Sequence, residues 1–239
     1  MSHVSLKNLE TTIKYIRKYT TTPICLDTEG AQIRTKTSKK KLLKKNMILK
    51  INYRKGNSIF YPEYINKKLK KGDILELGFS GLETKIIKKD SKVLFLKIIK
   101  TGLSETNKGV HLKNRKIKMN YLTDKDINAI KIAKNYKIKN FALSFTNSAN
   151  DIKKFNLLLK KERKIFKLET KQALKEINEI VKVGDNFLID RGDLSKDIRV
   201  ENIPIAQRKI IQQCRNAKKK VYVATNFLES MIYESSPTR

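Results

Sequence analysis

From residue 123 onward the chain alternates helix and strand without interruption, and this rhythm restricts the available folds more than any other feature. Thr123 with Asp126 forms a capping box that opens the helix TDKDINAIKIAKNYK, which feeds the strand NFALSF at 140–145. Ser148 with Asp151 opens ANDIKKFNLLLKKE, followed by the strand KIFKLE at 164–169. A helix at 171–182 leads to NFLID at 186–190, Pro204 starts IPIAQRKIIQQCRNAK, and KVYVAT at 220–225 is the last strand. Short buried strands separated by helices pair in parallel through right-handed crossovers, so the frame is α/β. Asp27, Ser144, Lys167, Glu169, Asp193 and Thr225 fall at or just beyond the C-terminal ends of successive strands, where a closed barrel gathers its site. A TIM-type barrel is therefore expected over an open, doubly wound sheet.

The first half has a different texture. SLKNLETTIKYIRK at 5–18 places Leu6, Leu9, Ile13 and Ile16 on one helical face, and PICLD at 23–27 reads as a short strand. Between about 36 and 118 the pattern becomes alternating and turn-rich: NMILKINY, GDILELGF, KVLFLKIIK and RKIKMN are strand-like. This predicts a small all-β insert at 36–118, with residues 1–35 and 119–239 forming the barrel portion.

Charge points first to a polyanion partner. Lys and Arg total 54 against 23 Asp and Glu, a formal charge of +31, and the stretch from Arg34 to Lys55 holds ten cations and no acid. Of the cations, however, 44 are Lys and 10 are Arg, the better fork for phosphate and base contacts. Ile and Asn are also abundant, as in an AT-rich genome, so the excess reads as solvated helix faces and nucleic acid is not the expected partner. No apolar run reaches the ~18–20 residues of a membrane span, and MSHVSLKNLE lacks a signal-peptide core. A cytoplasmic protein is expected, without a membrane partner. Cys25 and Cys214 lack any metal or disulfide spacing and read as buried, reduced, structural thiols.

Chemistry concentrates at two strand ends. In KLET, Lys167 and Glu169 stand at i and i+2, so an ammonium and a carboxylate emerge on one side of the strand. Asp193 lies just past the next strand, with Gly192 beside it permitting close backbone approach to a ligand. Carboxylates from adjacent strand ends can hold one Mg²⁺ while leaving positions for substrate oxygens, and a neighbouring Lys completes a site suited to phosphoryl transfer.

The segments ICLDTEGAQIRT (24–35), NKGVHL (107–112), LTDKDINAI (122–130), ALSFTNSANDI (142–152), KLET (167–170), GDNFLIDRGDL (184–194) and 203–239 resemble pyruvate kinase in the correct order. The last stretch resembles the family nearly throughout; between about 36 and 105 the resemblance is faint and rests on an insert of the size and place of the family's lid. The resemblance implies transfer of a phosphoryl group from phosphoenolpyruvate to ADP, giving pyruvate and ATP. It implies that Lys167 stabilises the transferred group and that Glu169 and Asp193 bind Mg²⁺ or Mn²⁺. Thr225, in VATNFLESM, would contact substrate and join the network that protonates the enolate, with Gly192 and Asp193 also on the substrate side. Asp27, Thr28 and Ser2, with Ser144 near them, would serve K⁺, and Arg34, Lys108 and His3 the nucleotide.

Departures from the family pattern are equally specific. The first two barrel strands, the last one and the C-terminal domain have no counterpart, leaving five recognisable strands of eight, two open sheet edges and exposed apolar faces. A homo-oligomer or a complementing second chain is expected to cover them. Gln32 replaces the family glutamate that accompanies potassium dependence, which leaves the K⁺ requirement open. Asp190 stands where alanine is usual, adding negative charge beside an anionic substrate, and the lid's acidic turn appears as Phe79-Ser80-Gly81. Two other readings follow: a catalytically reduced paralogue or gene fragment, and a Lys-rich polyanion-binding protein.

Overall fold

The computed structural model describes residues 1–78, 81–224 and 233. They form two compact units. The first comprises Met1, His3–Ala31 and the described residues from Tyr121 on; the second is Ser2 with Gln32–Asn120. The chain opens with helix α1 (Leu6–Tyr19), capped by Ser5, whose hydroxyl accepts from the Asn8 amide, and strand β1 (Cys25–Asp27).

The second unit then begins. Its strands are β2 (Ile33–Thr37), β3 (Lys41–Leu43), β4 (Ile48–Asn52) and β5 (Ser58–Tyr61), followed by the short helix α2 (Ile65–Lys68). Next come β6 (Ile74–Leu77), β7 (Leu82–Lys89), β8 (Val93–Lys100), β9 (Gly102–Ser104) and β10 (Gly109–Leu112). Seven of these strands close a barrel in the order β10-β2-β5-β4-β8-β7-β6, and β3 pairs with β9. Closure leaves no free edge in that ring, and alternation turns Ile51, Phe60, Leu75, Leu94 and Leu96 into its core. The segment RKIKMN, expected as a strand, is not one. Ile117 and Met119 pack against the core while Arg115 pairs with Asp73 at 2.7 Å, so the alternation reflects packing of an extended segment without a ladder partner. The unit also contains α2 and so is not purely β.

The first unit resumes with α3 (Asp124–Asn135), β11 (Asn140–Leu143), α4 (Ala149–Leu158) and β12 (Arg163–Leu168). Then follow α5 (Lys171–Lys175), α6 (Ile177–Val183), β13 (Asn186–Asp190), the single turn α7 (Arg191–Leu194), α8 (Ile203–Asn216) and β14 (Lys220–Ala224). The predicted caps are present: Thr123 and Asp126 form a complete capping box, and the Ser148 hydroxyl accepts from the Asp151 amide. The helix expected over 171–182 is two helices that meet at Glu176.

All five strands are parallel, in the order β1-β11-β12-β13-β14. Strand order follows chain order with no reversal, as in a barrel-type sheet and unlike a doubly wound one. Alternate residues Leu26, Phe141, Leu143, Phe166, Leu168, Phe187 and Ile189 join the helices in one core. Burying each such side chain contributes about 1.5–3 kcal/mol. The intervening residues point to the other face, where Tyr222 is 50% exposed. This alternation corrects the expectation for Cys25: Leu26 takes the buried position, so Cys25 is exposed, whereas Cys214 of α8 is buried.

Candidate active site

The C-terminal ends of β1, β11, β12 and β13 bring together most of the residues singled out above. At the centre is Lys167 on β12, its side chain 12% exposed. Its Nζ lies 2.8 Å from Glu169 Oε1, 3.4 Å from Asp27 Oδ2 at the end of β1, and 3.4 Å from Asp190 Oδ2 at the end of β13. The i,i+2 arrangement therefore yields a direct ion pair at one strand end. Burial alone would lower the Lys167 pKa, but the three carboxylates outweigh it and hold the ammonium above the ordinary lysine range.

Glu169 is fully buried. Its Oε2 accepts the Phe145 backbone N–H at 2.6 Å, while its Oε1 pairs with the Lys167 ammonium at 2.8 Å. Burial pushes this carboxyl up to about 7 against the pull of Lys167 and the Phe145 amide, and Asp193 adds to the rise. Phe145 holds φ +52°, a left-handed conformation that costs a bulky residue about 1–3 kcal/mol. That geometry aims its N–H at Glu169, and nothing in the sequence signals it.

Asp27, Thr28 and Ser144 form an adjoining group. Ser144 Oγ lies 2.8 Å from Asp27 Oδ1, and the Ser144 amide donates to Thr28 Oγ1 at 3.0 Å. The loop after β1 is pinned from below by Asp126, whose buried carboxylate accepts the amides of Glu29 at 2.7 Å, Gly30 at 3.1 Å and Thr123 at 3.0 Å. Gly30 has φ +66°, and a Cβ there would sit 2.2 Å from the Ser144 carbonyl oxygen. Asp126 thus has a role in positioning Asp27 beyond its helix cap.

Asp193 lies in α7, where its amide donates to the capping carboxylate of Asp190 at 3.5 Å, and the Gly192 carbonyl accepts from Ser195 Oγ at 2.7 Å. Glu169, Asp190 and Asp193 each offer an oxygen, all within 4.8 Å of one another. An all-carboxylate donor set of this spacing fits a hard divalent cation such as Mg²⁺ or Mn²⁺. His3 is exposed and Ser2 half-buried ahead of α1. Arg34 and Lys108 belong to the second unit: Arg34 donates to the Asn107 carbonyl at 3.2 Å, and the Lys108 amide to Thr35 Oγ1 at 3.0 Å. Gln32 is buried in the same unit. Thr225 and the Phe79-Ser80 part of the expected turn lie outside the described residues.

The parallel α/β sheet is thus of barrel type, with an ammonium among carboxylates at its C-terminal strand ends, the place where barrel-type domains gather their sites. The family model for the pyruvate kinase barrel domain matches residues 1–239, and the chain belongs to the pyruvate kinase family. It is 33% identical over 242 residues to the pyruvate kinase of Thermotoga maritima, covering 95% of this chain and 52% of that protein. The pyruvate kinase of Staphylococcus epidermidis is 30% identical over 256 residues, covering 100% of this chain and 44% of its own length. A crystal structure of Cryptosporidium parvum pyruvate kinase superimposes with a TM-score of 0.85 at 27% identity, covering 100% of this chain and 55% of that one. The chain thus spans about half the length of these relatives. Among the described residues, no helix is long and apolar enough to cross a membrane.

Proposed function

We propose that the chain carries a phosphotransferase site of pyruvate kinase type, moving a phosphoryl group from phosphoenolpyruvate to ADP. The observation that carries this reading is the buried Lys167 ammonium held among carboxylates from three strand ends. In the reaction the bond between phosphorus and the enol oxygen breaks, a bond to the terminal phosphate oxygen of ADP forms, and the released enolate takes a proton at carbon to become pyruvate. Charge passes through the transferred group, and a fixed ammonium presented by a rigid strand stabilises it without reorganising.

Glu169 and Asp193 would hold Mg²⁺ or Mn²⁺, which when bound neutralises phosphate charge. Glu169 is kept in place by the Phe145 amide, and Lys167 by Glu169, Asp27 and Asp190. Asp27, Thr28 and Ser2 are assigned to K⁺ with Ser144 near them, a grouping supported by the hydrogen bonds of Ser144 to Asp27 and Thr28. Arg34, Lys108 and His3 are assigned to the nucleotide, Gly192 and Thr225 to substrate, and Thr225 to proton delivery. In this reading residues 36–118 are the lid and residues 1–35 and 119–239 the catalytic barrel portion, in a cytoplasmic protein. Its far sheet face, carrying the half-exposed Tyr222, is covered by a second copy or a complementing chain.

A coupled pyruvate-forming assay with Mg²⁺ and K⁺, run beside Lys167→Met, tests the reading. Turnover well above that variant is expected; turnover equal to it refutes the activity.

A further inference from the structure

We propose that Asp190 is a third carboxylate of the divalent-cation centre, so that this chain holds the cation tightly and an anionic ligand weakly. The inference rests on the reading of Glu169 and Asp193 as the cation's residues and deepens it. Lys167 is shared by Asp27, Glu169 and Asp190 at 3.4, 2.8 and 3.4 Å, and Asp193 places a further carboxylate within 4.8 Å of Glu169 and Asp190. Asp190 itself is only 13% exposed, so water screens it poorly.

Glu169, whose buried Oε1 pairs with Lys167 at 2.8 Å, belongs to this same carboxylate cluster with Asp190 and Asp193. Carboxylates gathered at this spacing repel one another, and a hard cation would share their charge with Lys167. Asp190 occupies the last position of β13, and its capping bond to the Asp193 amide turns α7 so that both aspartates stay on this side. Cation affinity at oxygen sites rises with the number of charged ligands. The same added charge opposes any ligand that brings carboxylate and phosphate to the centre.

The test measures Mn²⁺ binding to the full chain by electron paramagnetic resonance of free Mn²⁺, without substrate. Circular dichroism confirms folding. The proteins are the parent, Asp190→Ala, Asp190→Asn, which keeps an oxygen for the cap, and Glu169→Gln. Both Asp190 variants should bind Mn²⁺ about tenfold more weakly, and with saturating Mn²⁺ should bind phosphoenolpyruvate about tenfold more tightly. If Glu169→Gln loses Mn²⁺ while both Asp190 variants stay within about twofold of the parent, Asp190 only anchors Lys167; the proposal fails and the underlying site reading stands. If the parent binds no Mn²⁺, or Glu169→Gln binds like the parent, the cation centre itself is refuted.

Discussion

Replacing Asp126 by alanine removes the acceptor that ties the loop after β1 to the start of α3. Three backbone amides lose their partner at once: Glu29 at 2.7 Å, Gly30 at 3.1 Å and Thr123 at 3.0 Å. Asp126 is fully buried, so water does not replace it without opening the loop. Each buried donor left unsatisfied costs about 1–3 kcal/mol, and partial relaxation makes the sum less than additive, so about 3–6 kcal/mol is expected. That is a large part of the 5–15 kcal/mol typical of a folded protein. Thr123→Ala is the comparison, because it removes one cap acceptor for about 1 kcal/mol and leaves the loop bonds intact. Urea unfolding followed by far-UV circular dichroism should show Asp126→Ala with a midpoint lowered by about 1–2 M, given a slope near 3 kcal/mol per M. Thr123→Ala should shift by well under half of that. Equal costs for the two variants, or a cost below about 1 kcal/mol for Asp126→Ala, would refute the claim that this carboxylate anchors the loop.

Gly30→Ala should destabilise the protein by about 3 kcal/mol or more, because it combines a φ of +66° with a Cβ 2.2 Å from the Ser144 carbonyl oxygen; a change below about 1 kcal/mol in the same urea experiment would show that the loop shifts freely. The metal-free protein should lose stability relative to Glu169→Gln between pH 5 and pH 8. The Glu169 carboxyl titrates near 7 when folded and near 4.5 when unfolded, so the folded state holds the extra proton in that window, and its advantage is gone above the folded value. A difference that is flat or rises with pH contradicts this assignment. Cys214 is buried with its thiol pushed up to about 11, so at pH 8 it should react with a thiol reagent only after unfolding. The exposed Cys25, also held near 11 by desolvation of its sulfur and by Asp27, should label slowly in the native protein; equal native rates for both would contradict the packing of α8.

What the sequence made visible was local, and what it hid was closure across distance. The caps at Thr123 and Ser148, and the i,i+2 pair of Lys167 and Glu169, depend on residues a few positions apart, and each forms as its spacing predicts. The parallel frame follows from the same short-range rhythm. RKIKMN shows the limit, since alternation reports which side chains are buried and says nothing about whether a neighbouring strand offers its amides. Asp126 shows it more sharply: the capping-box spacing announces one task, while the amides of Glu29 and Gly30 stand 97 and 96 residues away. The Phe145 amide on Glu169 is hidden for a further reason, because φ of +52° at a phenylalanine contradicts the local preference that sequence reading relies on. Asp190 combines both cases. As a letter it is one more negative charge near an anionic substrate, but placed at the end of β13 it shares Lys167 with Asp27 and Glu169 and caps the turn that carries Asp193. Asp190→Asn keeps an oxygen for the cap and leaves Lys167 paired with Asp27 and Glu169, so it should alter ligand balance before it alters the fold.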